Sequence, residues 1–185
     1  MTSYQEIIDK YYPAGSALRD IYMRHCSLVA ALALDINESK HLGLDPDLIK
    51  AAAMLHDIGI YRCDAPSIEC HGSEPYIRHG IIGAELLRAN NVSEDIARVA
   101  ERHTGSGLTA EEITRNGLPL PARDYMPEST LERLICYADK FYSKSTVADS
   151  QPKPLDKVKG QMKRFGEDSL LRFMKLEAEF GHQEA

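Results

Sequence analysis

Six residues of this chain carry side chains suited to one kind of chemistry: His25, His56, Asp57, His79, His103 and Asp139. Imidazoles and carboxylates together make a ligand set for divalent transition metals, and iron, manganese, zinc and nickel all accept it. Such ions polarise phosphoryl oxygens and activate water for hydrolysis. No nucleophilic side chain is then needed. Cys26 and Cys136 fall inside helical patterns and read as core thiols.

The elements that must position these residues are helical, because nearly every periodic segment has the helical period. Ser16 caps a helix to about Lys40, in which His25 shares a stripe with Ile21, Leu28 and Leu32. Asp45-Pro46 opens a helix to about Asp57 that places His56 on the face of Ile49 and Ala52. Gly59 is read as the glycine that ends it. Pro75 precedes a helix to about Ala89, where His79 shares a face with Ile82 and Leu86. Ser93 caps the next, and its row Ile96, Val99, Ala100 continues to His103. Thr109 and Glu112 form a capping box for a short helix that stops at Gly117. Pro127 introduces a helix with Leu131, Leu134, Ile135 and Ala138 inward and Asp139 on the border of that stripe. Two amphipathic pieces follow residue 153, carrying Val158, Met162 and Phe165, then Leu170, Phe173 and Met174. No stretch alternates long enough to predict a strand.

One histidine on an apolar helix face is usually a core residue bonded to a carbonyl. Four histidines and an aspartate, inward on separate helices, weigh differently. Each buried polar group costs free energy unless it is paired or binds metal. Convergence on metal accounts for all of them together. Asp57, beside His56, would otherwise be a buried charge with no cation. Ala51, Ala52 and Ala53 let neighbouring helices approach, which a compact site requires and ordinary tight packing requires equally.

The bulk numbers fit this picture. The chain has 185 residues, is 43% hydrophobic and 27% charged, and is expected to form one domain over residues 1–185. A net charge of -6 argues against general nucleic-acid or membrane-surface binding. The four cysteines form no C-x-x-C pair and read as reduced thiols of a cytoplasmic protein. The N-terminus MTSYQEIIDKYYPAG has no apolar stretch of signal-peptide length. No run of about 18 apolar residues predicts a membrane span. Two irregular segments, residues 61–75 and the pair TGSGLT and NGLPLPARDYMP, directly follow expected ligands. They are either the walls or lid of a pocket or ordinary connectors.

His25, then His56-Asp57, then Asp139 resembles the H…HD…D pattern of the HD-domain phosphohydrolases, which are all-α helical bundles. HDIG at 56–59 matches a named subgroup. His79 and His103 between the HD pair and the last aspartate resemble the members that hold two metals. The likeness runs from about residue 16 to 145, with helices at about 153–181 beyond it. The resemblance implies that His25, His56, Asp57 and Asp139 hold one divalent transition metal. Asp57 would bridge to a second held by His79 and His103, and these last three would be catalytic. It implies a metal-dependent phosphohydrolase that attacks a phosphoester or phosphoanhydride of a nucleotide-like small molecule with metal-bound hydroxide. His103-Thr104-Gly105 is similar to a stretch of the hydrolases that split dinucleoside tetraphosphates symmetrically. The Gly-Tyr-Pro signature of two-metal cyclic-di-GMP phosphodiesterases is absent, and IYRCD after HDIG lacks their lysine, which argues against that activity.

Lys140, Arg102, Arg24 and Lys144 are the cations expected to meet phosphate oxygens, their long side chains reaching the rim of the site. The plain alternative is a solvated surface with ordinary ion pairs. His41, His71 and His182 lie off the pattern. Two other functions compete: a regulatory ligand-binding HD module, and a di-iron oxygenase on the same fold. The apolar faces after residue 153 either close the core or pair with another subunit as a homo-oligomer.

Overall fold

The computed structural model describes residues 3–144 and 150–181. His182 and the end of the expected motif core at residue 145 lie outside them. The fold is all-α, as expected. Local signals explain where each helix starts. Ser3 and Glu6 form a capping box for α1 (Tyr4–Tyr11), a helix the periodicity did not suggest although the S-x-x-E signal was present. Ser16 accepts from the Arg19 N–H and starts α2 (Ala17–Ser39). Asp45 accepts from the Asp47 N–H, and Pro46 is the first residue of α3 (Pro46–Leu55).

The chain between α3 and α4 (His79–Ala89) departs from the sequence reading. A two-residue antiparallel hairpin, β1 (Asp64–Ala65) and β2 (Cys70–His71), pairs Asp64 with His71 and Ala65 with Cys70. Strands this short show no alternation, so no strand was expected. Gly59 does not end α3, which stops at Leu55. Its φ of -82° needs no glycine. Its role is close approach: a Cβ there would stand 2.2 Å from the His79 carbonyl oxygen and 2.6 Å from the Gly83 nitrogen.

α5 (Glu94–Arg102) follows Ser93, which occupies the cap position but makes no side-chain bond to the helix. α6 (Ala110–Arg115) starts on the reciprocal Thr109–Glu112 box. α7 (Thr130–Asp139) is capped by Ser129 rather than introduced by Pro127, because the Ser129 hydroxyl accepts from Glu132 N–H at 3.1 Å. α8 (Leu155–Arg164) and α9 (Glu167–Phe180) close the chain.

α2 packs against α3 and α7, and α5 against α3, α4 and α7. Ala52 and Ala53 are buried where these helices meet, with Val29, Ala33, Ile49 and Ile135. α9 lays Phe173, Leu176 and Phe180 on α7, so the C-terminal faces close the core. Phe165 and Met174 do not join them, being 66% and 46% exposed. α8 ends one residue before Phe165, and Gly166 at φ +126° turns the chain there, so the helical stripe does not extend to the ring. The Tyr12 and Tyr22 rings stack at 4.2 Å, and their hydroxyls donate to the carbonyls of Ile58 and Met54. This pair braces the turn that carries His56 and Asp57.

Candidate metal centre

The six expected ligands sit mostly at helix ends. His25 lies within α2, His56 caps α3 and Asp57 follows it. His79 begins α4, His103 caps α5 and Asp139 ends α7. None is more than 7% exposed. Position at an end lets a ring bond the carbonyl three residues before it. Nδ1 of His56 lies 2.7 Å from Ala53 O, that of His79 2.7 Å from Tyr76 O, and that of His103 2.8 Å from Ala100 O. A carbonyl only accepts, so each of these Nδ1 atoms carries the proton. Wherever the ring is neutral, the lone pair of Nε2 then turns inward.

Two groups form around those inward atoms. His25, His56, Asp57 and Asp139 make one, and Asp57, His79 and His103 the other, each with its ligand atoms within 4.8 Å of one another. Asp57 belongs to both. Its Oδ2 lies 3.2 Å from His25 Nε2 and 3.1 Å from His56 Nε2. Its Oδ1 lies 3.6 Å from His79 Nε2 and 3.3 Å from His103 Nε2. Asp139 Oδ1 stands 3.0 Å from His25 Nε2.

This arrangement fits a cation. The Nε2 atoms of His79 and His103 are 3.0 Å apart, where two lone pairs repel. Neither Asp57 oxygen has a hydrogen bond of proper geometry, and His25 Nδ1 has none either. Oδ2 has the Lys144 ammonium at 2.7 Å, but Oδ1 faces only the His79 and His103 rings, and a buried carboxylate oxygen so placed is costly unless something positive satisfies it.

The charges agree. Burial, with His103 beside it, depresses the His79 imidazole to about 3. Burial also lowers His103. Both rings therefore keep their lone pairs at neutral pH. Burial alone would lower His56, but the Asp57 carboxylate holds it well above its ordinary value. Burial would raise Asp57 and Asp139, yet Lys144 and His56 hold the first, and Lys140 and Lys144 the second, well below the usual carboxylate range. Lys144 Nζ stands 2.7 Å from Asp57 Oδ2, and Lys140 Nζ 2.6 Å from Asp139 Oδ2. Burial pushes the Cys136 thiol up to about 11, in keeping with a core residue.

The site opens into a cavity of about 1060 Å³, which His79, His103 and Asp139 line at one end. Lys140 and Lys144 also line it. Arg102 does not: its guanidinium is taken up by Glu128 at 2.9 Å and Glu132 at 3.3 Å. Arg24 is likewise not on the cavity wall. Ala65, Ser67 and Ile68 of the first irregular segment form wall, as do Thr104, Gly105 and Leu108 of the second. His71 is exposed against Glu69 and takes no part. Sequence reasoning missed Tyr76, which stacks on His79 at 4.7 Å. It also missed Lys153, Gln161, Arg164 and Phe165, which come from the C-terminal segment. No periodicity signals either contribution, since both depend on how distant segments fold together.

A family model described as HD domain matches residues 22–143. A tRNA (cytidine(56)-2'-O)-methyltransferase of Picrophilus torridus is 33% identical over 160 residues, covering 86% of this chain and 41% of that protein. The same-named protein of Thermoplasma volcanium is 29% identical, covering 93% of this chain and 45% of its own length. The chain thus spans less than half of both methyltransferases. An uncharacterized protein of Methanocaldococcus jannaschii is 34% identical over 144 residues, covering 75% of this chain and 78% of that one. No solved structure matches the chain.

Proposed function

Because the chain belongs to the HD-domain family of metal-dependent phosphohydrolases, we propose that it hydrolyses a phosphoester or phosphoanhydride bond of a nucleotide-like small molecule. His25, His56, Asp57 and Asp139 would hold one divalent transition metal, and Asp57, His79 and His103 a second. One observation carries the reading: the two oxygens of Asp57 face different histidine pairs, Oδ2 toward His25 and His56, Oδ1 toward His79 and His103.

Divalent cations bound there supply Lewis acidity toward phosphoryl oxygens and lower the pKa of water. The chain's residues supply the rest. The Nδ1–carbonyl bonds of His56, His79 and His103 fix the rings and their tautomers. Lys140 and Lys144 bring positive charge to the cavity wall beside Asp139 and Asp57, where it complements phosphoryl oxygens. Arg102 and Arg24 are not on that wall and have no part in this reading. The test is metal analysis of protein purified without chelator, followed by a phosphatase screen with Mn²⁺, Fe²⁺ and Zn²⁺ added separately. Far less than one metal per chain, with no rescue by added metal, would sink the proposal.

The names of two relatives favour one second reading. A chain that matches under half of a tRNA methyltransferase could serve as the ligand-binding module of an RNA-modifying system. Tight nucleotide binding by a metal-loaded chain that hydrolyses no phosphoester would select it.

A further inference from the structure

We propose that the cavity wall built by the C-terminal segment is a second subsite, at which Lys153 and Arg164 hold a further phosphate beside the one at the metal ligands and Phe165 stacks a nucleobase. The inference deepens the hydrolase reading, from which it takes a phosphate at the metal end. It names the substrate class as a nucleotide carrying a chain of phosphates.

Size is the first argument. A cavity of about 1060 Å³ is far larger than one phosphate group needs, and lies at the upper end of pockets that enclose drug-sized molecules.

Charge is the second. Among the described residues, Lys153 Nζ donates only to neutral acceptors, Lys140 O at 3.0 Å and Gln161 Oε1 at 3.4 Å, and no carboxylate pairs with it. Lys140 and Lys144 on the same wall are paired with Asp139 and Asp57. Arg172 is paired with Glu112. Arg164 is exposed and has no ion pair among the described residues. Lys153 and Arg164 are thus two cations on the cavity wall with no carboxylate paired to either among the described residues. An anion held by both would balance their charge.

The third argument is Phe165. It is the most exposed large apolar side chain named among the described residues, and it lines this same cavity. An aromatic face beside a phosphate site is the arrangement that stacks a base.

The wall is also held in place. Ser106 Oγ donates to Ser169 O at 2.7 Å, which fixes the start of α9 to the loop after His103. The Lys153–Lys140 contact fixes the segment before α8 to the end of α7. A subsite that is already ordered loses little conformational freedom when it binds.

The test is calorimetric titration of the full chain with inorganic phosphate, tripolyphosphate and ATP, once in EDTA and once with Mn²⁺. In EDTA any bound metal is removed, and the difference between parent and Lys153 or Arg164 variants isolates the proposed wall from Lys140 and Lys144. The parent is expected to bind tripolyphosphate about tenfold more tightly than phosphate. Lys153→Gln and Arg164→Gln should each remove several-fold of that preference, and Lys153→Arg should restore it. ATP should bind more tightly than tripolyphosphate, and Phe165→Ala should abolish the difference while Phe165→Tyr keeps it. Arg164 and Phe165 are exposed, so their variants fold whether or not Lys153→Gln does. Tripolyphosphate binding unchanged by Arg164→Gln and Lys153→Gln together would overturn the anion subsite. ATP binding unchanged by Phe165→Ala would overturn the stacking role. A chain that binds as expected but hydrolyses nothing with any metal overturns the hydrolase reading and leaves the subsite standing.

Discussion

Nε2 of His79 and Nε2 of His103 face each other at 3.0 Å while a backbone carbonyl holds the opposite nitrogen of each ring. The pair can accept a cation without any change of tautomer. His103→Ala is therefore expected to lose mainly the cation shared with His79. Asp57→Ala, which removes the carboxylate common to both groups, is expected to lose both. Metal stoichiometry by mass spectrometry checks this, and a His103→Ala protein that still held two ions would contradict the partition.

Chelation should destabilise the fold. Ions that bind only the folded state stabilise it by about 3 kcal/mol at a hundredfold excess over Kd. Thermal unfolding with EDTA, then with Mn²⁺ restored, should show a reversible drop in Tm. Identical Tm values would mean that the cluster holds no metal under those conditions.

Gly59→Ala places a methyl group 2.2 Å from the His79 carbonyl oxygen. Backbone, not a flexible side chain, must yield. Overpacking of this kind costs about 1–3 kcal/mol. His79 should shift with it, so weaker metal binding should accompany the lower stability in a denaturant titration. A variant as stable as the parent would show that this contact is slack.

Tyr12→Phe removes a buried hydroxyl that donates to Ile58 O at 3.0 Å, while the stacking on Tyr22 remains. The loss should be about 1 kcal/mol. Urea unfolding measures it, with an unchanged m-value expected.

Glu112 joins α6 to α9 through Arg172 at 2.7 Å. Burial would raise this carboxyl, but Arg172 and then the Thr109 N–H outweigh it and hold it below its ordinary value. A lowered folded pKa means that the unfolded chain binds the proton more readily, so the stabilisation is complete above the ordinary pKa near 4.5. It fades as pH falls through the folded value. Glu112→Gln should therefore be less stable than the parent at neutral pH, and the gap should close as pH falls below 4.5 and through the lowered folded value. A gap independent of pH would place the effect in packing instead.

The helical stripes and caps were legible because they are local. His25 lies among Ile21, Leu28 and Leu32 on one stripe, and Thr109 and Glu112 spell their own capping box. The inward burial of the four histidines followed from the same periodicity, which set Asp139 on the border of its stripe, while Asp57 was read from its place beside His56. Other features depend on what a distant segment supplies. Arg102 was expected at the rim, but Glu128 and Glu132 fold back to take its charge. Gly59 reads as a helix stop until the His79 carbonyl is found against it. Lys153 and Phe165 reach the cavity only because α8 and α9 return to α7, and no local pattern encodes that return.

Three helices, α3, α5 and α7, finish at the cluster, at His56, His103 and Asp139. The carboxyl end of a helix carries a partial negative charge of about half an electron. Three such ends thus share one point and reinforce one another's field there. A cation at that point is attracted by the backbone as well as by its ligands. Lys140, which donates to the His103 carbonyl at 2.9 Å, offsets part of that field; emptying the site leaves the rest uncompensated, so the loss falls on the mutual packing of those helices and not on one loop alone.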